Sequence, residues 1–418
     1  MSKILIHTIV FSPDGVSTAY IYNDIALRLQ QGGHRVIVLT TIPHFNVLPE
    51  NLERQPLTAK LGGLWYESNF QGIRVIHIPQ KKFKSTLLRL VGFMYWHVVS
   101  FVSALFIRNL DLILSPSPPL TLGVVNILLG KLKSARVMYN VQEIYPDLLI
   151  ADGGLKSPLV KSLLKRMERF VYRHSHAVTT IDEVFYTTIA GRFSDVSRLS
   201  IIPNFVDTQL YTPVTANEVH KLDQQLFPPT DDLKVMYAGN IGNAQDWDTF
   251  IALAEQLREK PVRFFVIGEG VDRDHLEQEI GQRQLSRVKL VPYQPRELMP
   301  ALIAYADLHF IFMAEQVEGH GFPSKVYTLM SCSKPMLVCS GLNTPIVNFL
   351  KDKECAWIVS EYELTKKVNQ LADTLLSITP DELIEKGKRG RAVVEKSYTR
   401  EIVTERYLQL VNKLTHSK

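Results

Sequence analysis

"LKVMYAGNIG" (233–242) decides how this 418-residue chain is read. Five residues of strand-forming character run into Gly239 and Gly242, and a polar loop, "NAQDWDTF", then enters a helix-like stretch. Read outward on either side, the unit is β-loop-α, and the same unit has already been seen at the start of the chain. "KILIHTIV" (3–10) gives way to "FSPDGVST" and a helix near 17–31 that stops at Gly32-Gly33. Between the two lie "RVIVLTT" (35–41), "IRVIHIP" (73–79), "LDLILS" (110–115), "ARVMYNV" (135–141) and "HAVTTID" (176–182), apolar runs of buried-strand length. After 233 the series restarts with "VRFFVIGEG" (262–270), "RVKLVPY" (287–293), "DLHFIFM" (307–313) and "PMLVCS" (335–340). Strands alternating with helices twice over predict an α/β protein with two Rossmann-like parallel-sheet domains facing across a cleft. The expected boundaries are 1–203 and 204–398, with "SIIPNFVDTQLYTP" (200–213) at the junction and a C-terminal helix, 399–418, packing back on the first domain.

Length and composition agree with two ordinary domains. Hydrophobic residues make up 46% and charged residues 21%, which excludes disordered and fibrous classes. Cys332, Cys339 and Cys355 lack metal-ligand spacing and read as reduced thiols of a cytoplasmic protein. "MSKILIHTIVFSPDG" enters a strand directly, so no signal peptide is expected. Residues 1–200 hold 22 Lys and Arg against 13 Asp and Glu, whereas 201–418 hold 25 against 29. A basic half joined to a mildly acidic one predicts contact with an anionic surface, a membrane leaflet or a phosphorylated substrate. Nucleic acid is not expected, because no basic run interleaved with aromatics is present.

"LVGFMYWHVVSFVSALFI" (90–107) is 18 residues without a formal charge, the low edge of transmembrane length. A span there would split the first sheet across a bilayer and leave open edges, so it is rejected. Two readings stay open: a buried crossover helix, or a helix near 84–107 whose outer face touches lipid, aided by the cations of "KKFKSTLLR" (81–89).

Ligands of parallel sheets bind beyond the carboxyl ends of the strands. Gly15 lies in the first such exit, where a bare backbone allows close approach. Gly239, Asn240, Gly242 and Gln245 lie in the second domain's first exit, followed by Gly268 in "FFVIGEG" and Tyr293 in "KLVPYQP", a surface on which a base could stack. The helix N-terminus expected at Ser324-Lys325 in "EGHGFPSKVYTLM" carries the sharpest signal. A cation at the positive end of a helix is disfavoured unless an anion sits between, and a diphosphate would take the Ser324 hydroxyl, the Lys325 ammonium and backbone N–H groups together. Glu143 and Asp147 follow the strand "ARVMYNV" and suit acceptor binding or proton handling, or equally the cap of the next helix. His7, His44, His77 and His97 show no ligand spacing, and no metal site is read.

Taken in order, "SPDGVSTAYIYNDIALRLQQGGHRVIVLTT", "VQEIYPD", "IIPNFVD", "VMYAGNIGNAQDW" and "PSKVYTLMSCSKPML" make the chain resemble a glycosyltransferase of family 4 with the GT-B fold, in its WbuB-like branch. The resemblance implies a retaining, metal-independent transfer without a cofactor. The sugar would come from a nucleotide sugar, UDP-linked, and pass to a lipid-linked saccharide at the inner face of the cell membrane. It assigns donor binding to the second domain, with His320, Gly321, Ser324, Lys325 and Thr328 along the helix start, and acceptor binding to the first. It also marks departures. His320 and Thr328 stand where the family commonly has two glutamates, Asn240 and Gln245 near where it has Arg and Lys, and Gln142-Glu143 where it has His-Asp. These departures keep open an alternative: a catalytically degenerate homologue that binds nucleotide sugar beside an active partner.

Overall fold

The computed structural model describes residues 1–80, 85–151 and 153–416. The chain divides into two compact units, 1–204 with 401–418, and 205–400.

In unit 1 nine strands form one sheet: β1 (Lys3–His7), β2 (Arg35–Thr41), β3 (Thr58–Lys60), β4 (Trp65–Phe70), β5 (Ile73–Ile78), β6 (Leu112–Ser117), β7 (Arg136–Val141), β8 (Ala177–Thr180) and β9 (Leu199–Ile201). Their order is β3-β4-β5-β2-β1-β6-β7-β8-β9. The central strands pair in parallel, β1 with both β2 and β6. The expectation of a wholly parallel sheet fails at one edge, where β3, β4 and β5 are antiparallel. A tight Gln71-Gly72 turn, with both residues at positive φ, lets the chain fold straight back there instead of crossing over.

Unit 2 holds β10 (Leu233–Ala238), β11 (Val262–Ile267), β12 (Val288–Val291), β13 (Leu308–Phe312), β14 (Met336–Cys339) and β15 (Ala356–Val359), all parallel, in the order β12-β11-β10-β13-β14-β15. Apolar side chains cover both faces, as fully buried parallel strands require. Phe250, Phe264 and Phe310 pack on one side, with Phe250 stacked on Phe310 at 5.0 Å, and Val326, Met330, Ile346 and Val394 pack on the other. The strand order reverses between β10 and β13, the place in such sheets where the loops of two neighbouring strands part and a ligand fits.

The C-terminal helix, Arg400–His416, belongs to the core of unit 1. Its Tyr407 hydroxyl accepts from Asn140 Nδ2 at 3.0 Å, Glu405 pairs with Arg28 at 2.5 Å, and Leu408 fills the space over Gly32. The chain enters and leaves unit 2 side by side, joined by a Val206–Thr399 bridge and the Arg400–Asp207 ion pair at 2.6 Å.

The apolar stretch of the first unit forms the helix Thr86–Leu105. One side is core, with Trp96, Ser100 and Ala104 fully buried; the other exposes Leu90, Val91, Met94, Tyr95, Val98 and Val102. Residues 88–105 are long and apolar enough to cross a membrane, but the buried side is packed as a crossover helix. Lys81, Lys82 and Lys84, expected to aid a lipid contact, lie outside the described residues.

Candidate active site

Of the residues singled out in unit 2, Gly239, Asn240, Gly242, Gln245 and Lys325 gather at the β10/β13 switch, Gly268 adjoins it, Tyr293 follows the edge strand β12, and His320 lies toward the ends of β14 and β15. Gly239 leaves β10 and Gly268 leaves β11, and the two backbones touch so closely that a Cβ on Gly268 would lie 1.9 Å from the Gly239 carbonyl oxygen. Gly268 also has φ +147°, a conformation that favours glycine. Across the switch, Gln245 forms an antiparallel bridge with Met313, which ties the β10 loop to the end of β13.

Lys325 opens the seven-residue helix Lys325–Ser331. Its backbone is fixed by Val326 and Met330, both fully buried in the core behind the sheet. The side chain does not follow the helix start. It reaches the switch, where Nζ lies 3.5 Å from the centroid of the Tyr237 ring and 2.7 Å from where a Gly239 Cβ would be. The amine is enclosed and has no hydrogen-bond partner among the described residues. The ring face offers a cation–π contact but no acceptor. Burial pushes the Lys325 ammonium down to about 7. The Lys325 charge thus escapes the positive helix end by being carried off the helix axis.

The cradle expected around it is smaller than the sequence suggested. Ser324 sits at the N-cap but is itself helical, φ −57° and ψ −20°, and its hydroxyl caps nothing. The Val326 and Tyr327 N–H groups already donate to the Pro323 and Ser324 carbonyls at 3.1 and 3.2 Å. Thr328, one turn beyond Lys325, is half-buried with its hydroxyl unengaged by the described residues. Gln245 does not present its amide to a ligand. In the orientation that satisfies both amide atoms, its nitrogen donates to the carbonyls of Asn240 (2.9 Å) and Gly242 (3.1 Å) and to the Tyr237 hydroxyl (3.2 Å). Asn240 is exposed, and its carbonyl also accepts from the Tyr237 hydroxyl at 2.6 Å. Gly242 is buried under the Asn240 side chain. Tyr293 is 41% exposed, and its N–H faces the Glu269 carboxylate at 3.4 Å, too long for a strong bond.

His320 and Gly321 lie in the loop before the helix. Gly321 borders open space, and His320 keeps its Nδ1 enclosed and unpartnered. His320 lines a cavity of about 440 Å³ with Glu315, Glu318, Asn343, Thr344 and Tyr362. Sequence reasoning missed Glu318. It is buried and accepts from Ser340 Oγ (2.9 Å), the Gly341 N–H (2.8 Å) and the Tyr362 hydroxyl (2.9 Å), pinning the loop to the ends of β14 and β15. Tyr237 was missed as well, since a tyrosine inside a strand reads only as core.

In unit 1 two of the three candidates lie in the expected loops but are engaged by the chain itself. The space Gly15 leaves is filled by the chain itself: a Cβ would meet the Asn46 carbonyl at 2.5 Å, and the Gly15 N–H donates to Phe45. Asp147 is bound to Arg192 at 2.5 Å, and Arg192 also holds the buried Glu168, so this acid is committed to an internal ion-pair network. Glu143, two residues past β7, keeps its place at a strand's carboxyl end. Its carboxylate has no partner among the described residues, and burial alone raises its pKa. Among the described residues no group of three His, Cys, Asp or Glu side chains could hold a metal ion.

Residues 18–204 match the model of the glycosyl transferase 4-like domain, and 218–390 match that of glycosyl transferases group 1. The chain belongs to the group 1, or GT4, glycosyltransferase family. The Escherichia coli K12 glycosyl transferase WcaI, whose name attaches it to colanic acid biosynthesis, is 25% identical over 339 residues, which is 79% of this chain and 81% of WcaI. Among solved structures, sucrose-phosphate synthase from Thermosynechococcus elongatus superposes with a TM-score of 0.78 over all of both chains at 14% identity. Anabaena HepE in complex with UDP-glucose does so with 0.72 over 99% of this chain and all of HepE, at 16% identity. These likenesses establish the GT-B fold for this GT4 protein.

Proposed function

We propose that this GT4 protein is a retaining, metal-independent glycosyltransferase. It moves a sugar from a nucleotide sugar, UDP-linked, to a lipid-linked or saccharide acceptor in the biosynthesis of a surface polysaccharide. The observation that carries the reading is the enclosed, unpartnered Lys325 amine at the strand-order reversal of unit 2. An isolated charge site of this kind is built to receive an anion, and a departing diphosphate is the anion that family membership supplies. The UDP and UDP-glucose complexes of HepE and the polysaccharide name of WcaI support the donor and the pathway class. Pro323-Ser324-Lys325 supports the WbuB-like branch.

The bond from the sugar's anomeric carbon to the β-phosphate oxygen breaks while a bond to the acceptor oxygen forms on the same face. The acceptor proton passes to a donor phosphate oxygen. Lys325 offsets the charge that gathers on the leaving group, and Glu143 holds the acceptor from the loops of unit 1. A peripheral position on the inner face of the cell membrane, beside a lipid-linked acceptor, is part of the same proposal; the exposed apolar side of the 86–105 helix and the basic first half support it.

Replacing Lys325 with Ala tests the reading: turnover is expected to fall about 10²-fold or more, the scale of a lost transition-state charge contact. Turnover within a few-fold of the parent would reject it. The degenerate-homologue alternative is favoured by His320 and Thr328 and by the consumed donors of Gln245. Calorimetric donor binding, with no turnover on any lipid-linked acceptor and no donor hydrolysis, would establish that alternative instead.

A further inference from the structure

Unit 1 contains a second cation-lined site, at the opposite ends of its strands from the loops that carry Glu143. A cavity of about 560 Å³ opens where β7 and β8 begin, between the last turns of the helices Leu120–Lys133 and Pro158–His174. Lys131, Arg136, Arg173, His174 and His176 line it, and none of its ten lining residues is acidic. Next to it, Arg198 donates to the Arg173 and Ser175 carbonyls at 3.0 and 3.1 Å and pairs with Asp195 at 3.9 Å.

Helix chemistry explains only part of this. Lys131, Arg173 and His174 occupy final helical turns, where the carbonyl ends welcome cations. Arg136 and His176 stand at strand starts, where no such field exists, yet they face the same space. His176 accepts the Val137 N–H at Nδ1 (3.1 Å), which leaves Nε2 as a donor. Burial lowers its pKa, and Arg136 and Arg198 act in the same direction, so this imidazole sits among cations. Neither Lys131 nor Arg173 forms an ion pair among the described residues. Converging donors of one sign in an open cavity, Lys131 and Arg173 foremost, attract an anion.

We propose that this cavity binds a phosphate group, with Lys131, Arg136, Arg173 and His176 as its donors. The site is separate from the donor site, and stands or falls independently of the transferase reading. Leu128 and Leu132, both well exposed, flank Lys131 on the outer face of its helix. They would meet the apolar body of an anionic phospholipid; a free phosphate would use the cations alone.

The test pairs two probes with the variant R136Q/R173Q, whose folding is checked by its melting temperature. H176Q, which keeps both guanidiniums, serves as a second variant. In the first arm, inorganic phosphate is titrated while the imidazole proton resonances of His174 and His176 are followed. Saturable shifts in the parent that disappear in R136Q/R173Q and weaken in H176Q are expected. In the second arm, the protein is floated with equimolar phosphatidylglycerol and phosphatidylcholine vesicles, against phosphatidylcholine alone. Loss of about 30-fold in anionic-vesicle binding in R136Q/R173Q, the weight of two cations near an anionic surface, assigns the site to a lipid headgroup. Phosphate shifts with unchanged flotation assign it to a soluble phosphate. Resonances that ignore phosphate, together with flotation that ignores the substitutions, would overturn the proposal.

Discussion

An ammonium enclosed against a tyrosine ring with no acceptor in reach is destabilising to the protein that carries it, and Lys325 responds by giving up its proton near pH 7. Unfolded, the same amine titrates near 10.5. Below pH 7 both states are protonated and the folded state bears the whole penalty. Between pH 7 and 10.5 the penalty fades, and above that range it is gone. Lys325→Met is therefore expected to raise the ligand-free stability most below pH 7, on the order of a few kcal/mol. The gain should shrink steadily toward pH 10.5 in urea titrations. A substitution that destabilises at every pH would mean the amine is satisfied in a way the geometry does not show. The same reasoning separates Glu143 from Asp147. Both follow β7, but only Glu143 is left without a partner, whereas Asp147 is tied up by Arg192. Spacing places an acid at a strand end; it does not show which arginine, 45 residues later, will claim it.

Among the elements, the crossing of two strand-exit loops matters most to the site. Gly239 and Gly268 let the β10 and β11 loops pass in direct backbone contact, and Gly270 does the same against the Ile241 carbonyl. Gly268→Ala would set a methyl 1.9 Å from a main-chain oxygen at φ +147°, where no flexible side chain can yield. A loss of about 3 kcal/mol or more is expected in the unfolding free energy, together with loss of donor binding. An unchanged denaturation midpoint would show that the loops can separate without penalty. Elements of this kind were largely legible in the sequence, since β-branched runs such as "RVIVLTT" announce β2 to the residue. The misses were short or polar. β3 is three exposed residues, β4 reads "WYESNF", and β9 and β15 are brief edge strands whose pairing is set by neighbours distant in sequence. At the site, glycines and Lys325 could be read because backbone geometry and helix polarity are local. Tyr237, Glu318 and the inward turn of Gln245 could not, because their roles depend on what packs over them.

At the scale of the whole chain, charge is divided by position, with an excess of cations in 1–200 and of anions beyond. The exposed apolar stripe lies in the same basic part, on the 86–105 helix. Two forces of different salt dependence are thus expected in vesicle binding. Raising salt shortens the electrostatic range from about 30 Å at 0.01 M to about 3 Å at 1 M, so the charge-driven part should vanish. A residual apolar part should remain, and V91S/M94S/V98S should remove it, each substitution withdrawing about 1 kcal/mol of apolar contact. Flotation unaffected by salt and by the triple substitution would exclude this face from membrane contact.

The most direct measurement of the central claim is the number of protons taken up when UDP binds, obtained by calorimetry in buffers of different ionisation enthalpy. At about pH 8 the free Lys325 amine is mostly neutral, and a diphosphate beside it should restore its proton. The expected result is uptake approaching about one proton per UDP in the parent and none in Lys325→Met. Equal uptake in parent and variant would mean that UDP binds without meeting Lys325, which would contradict the account.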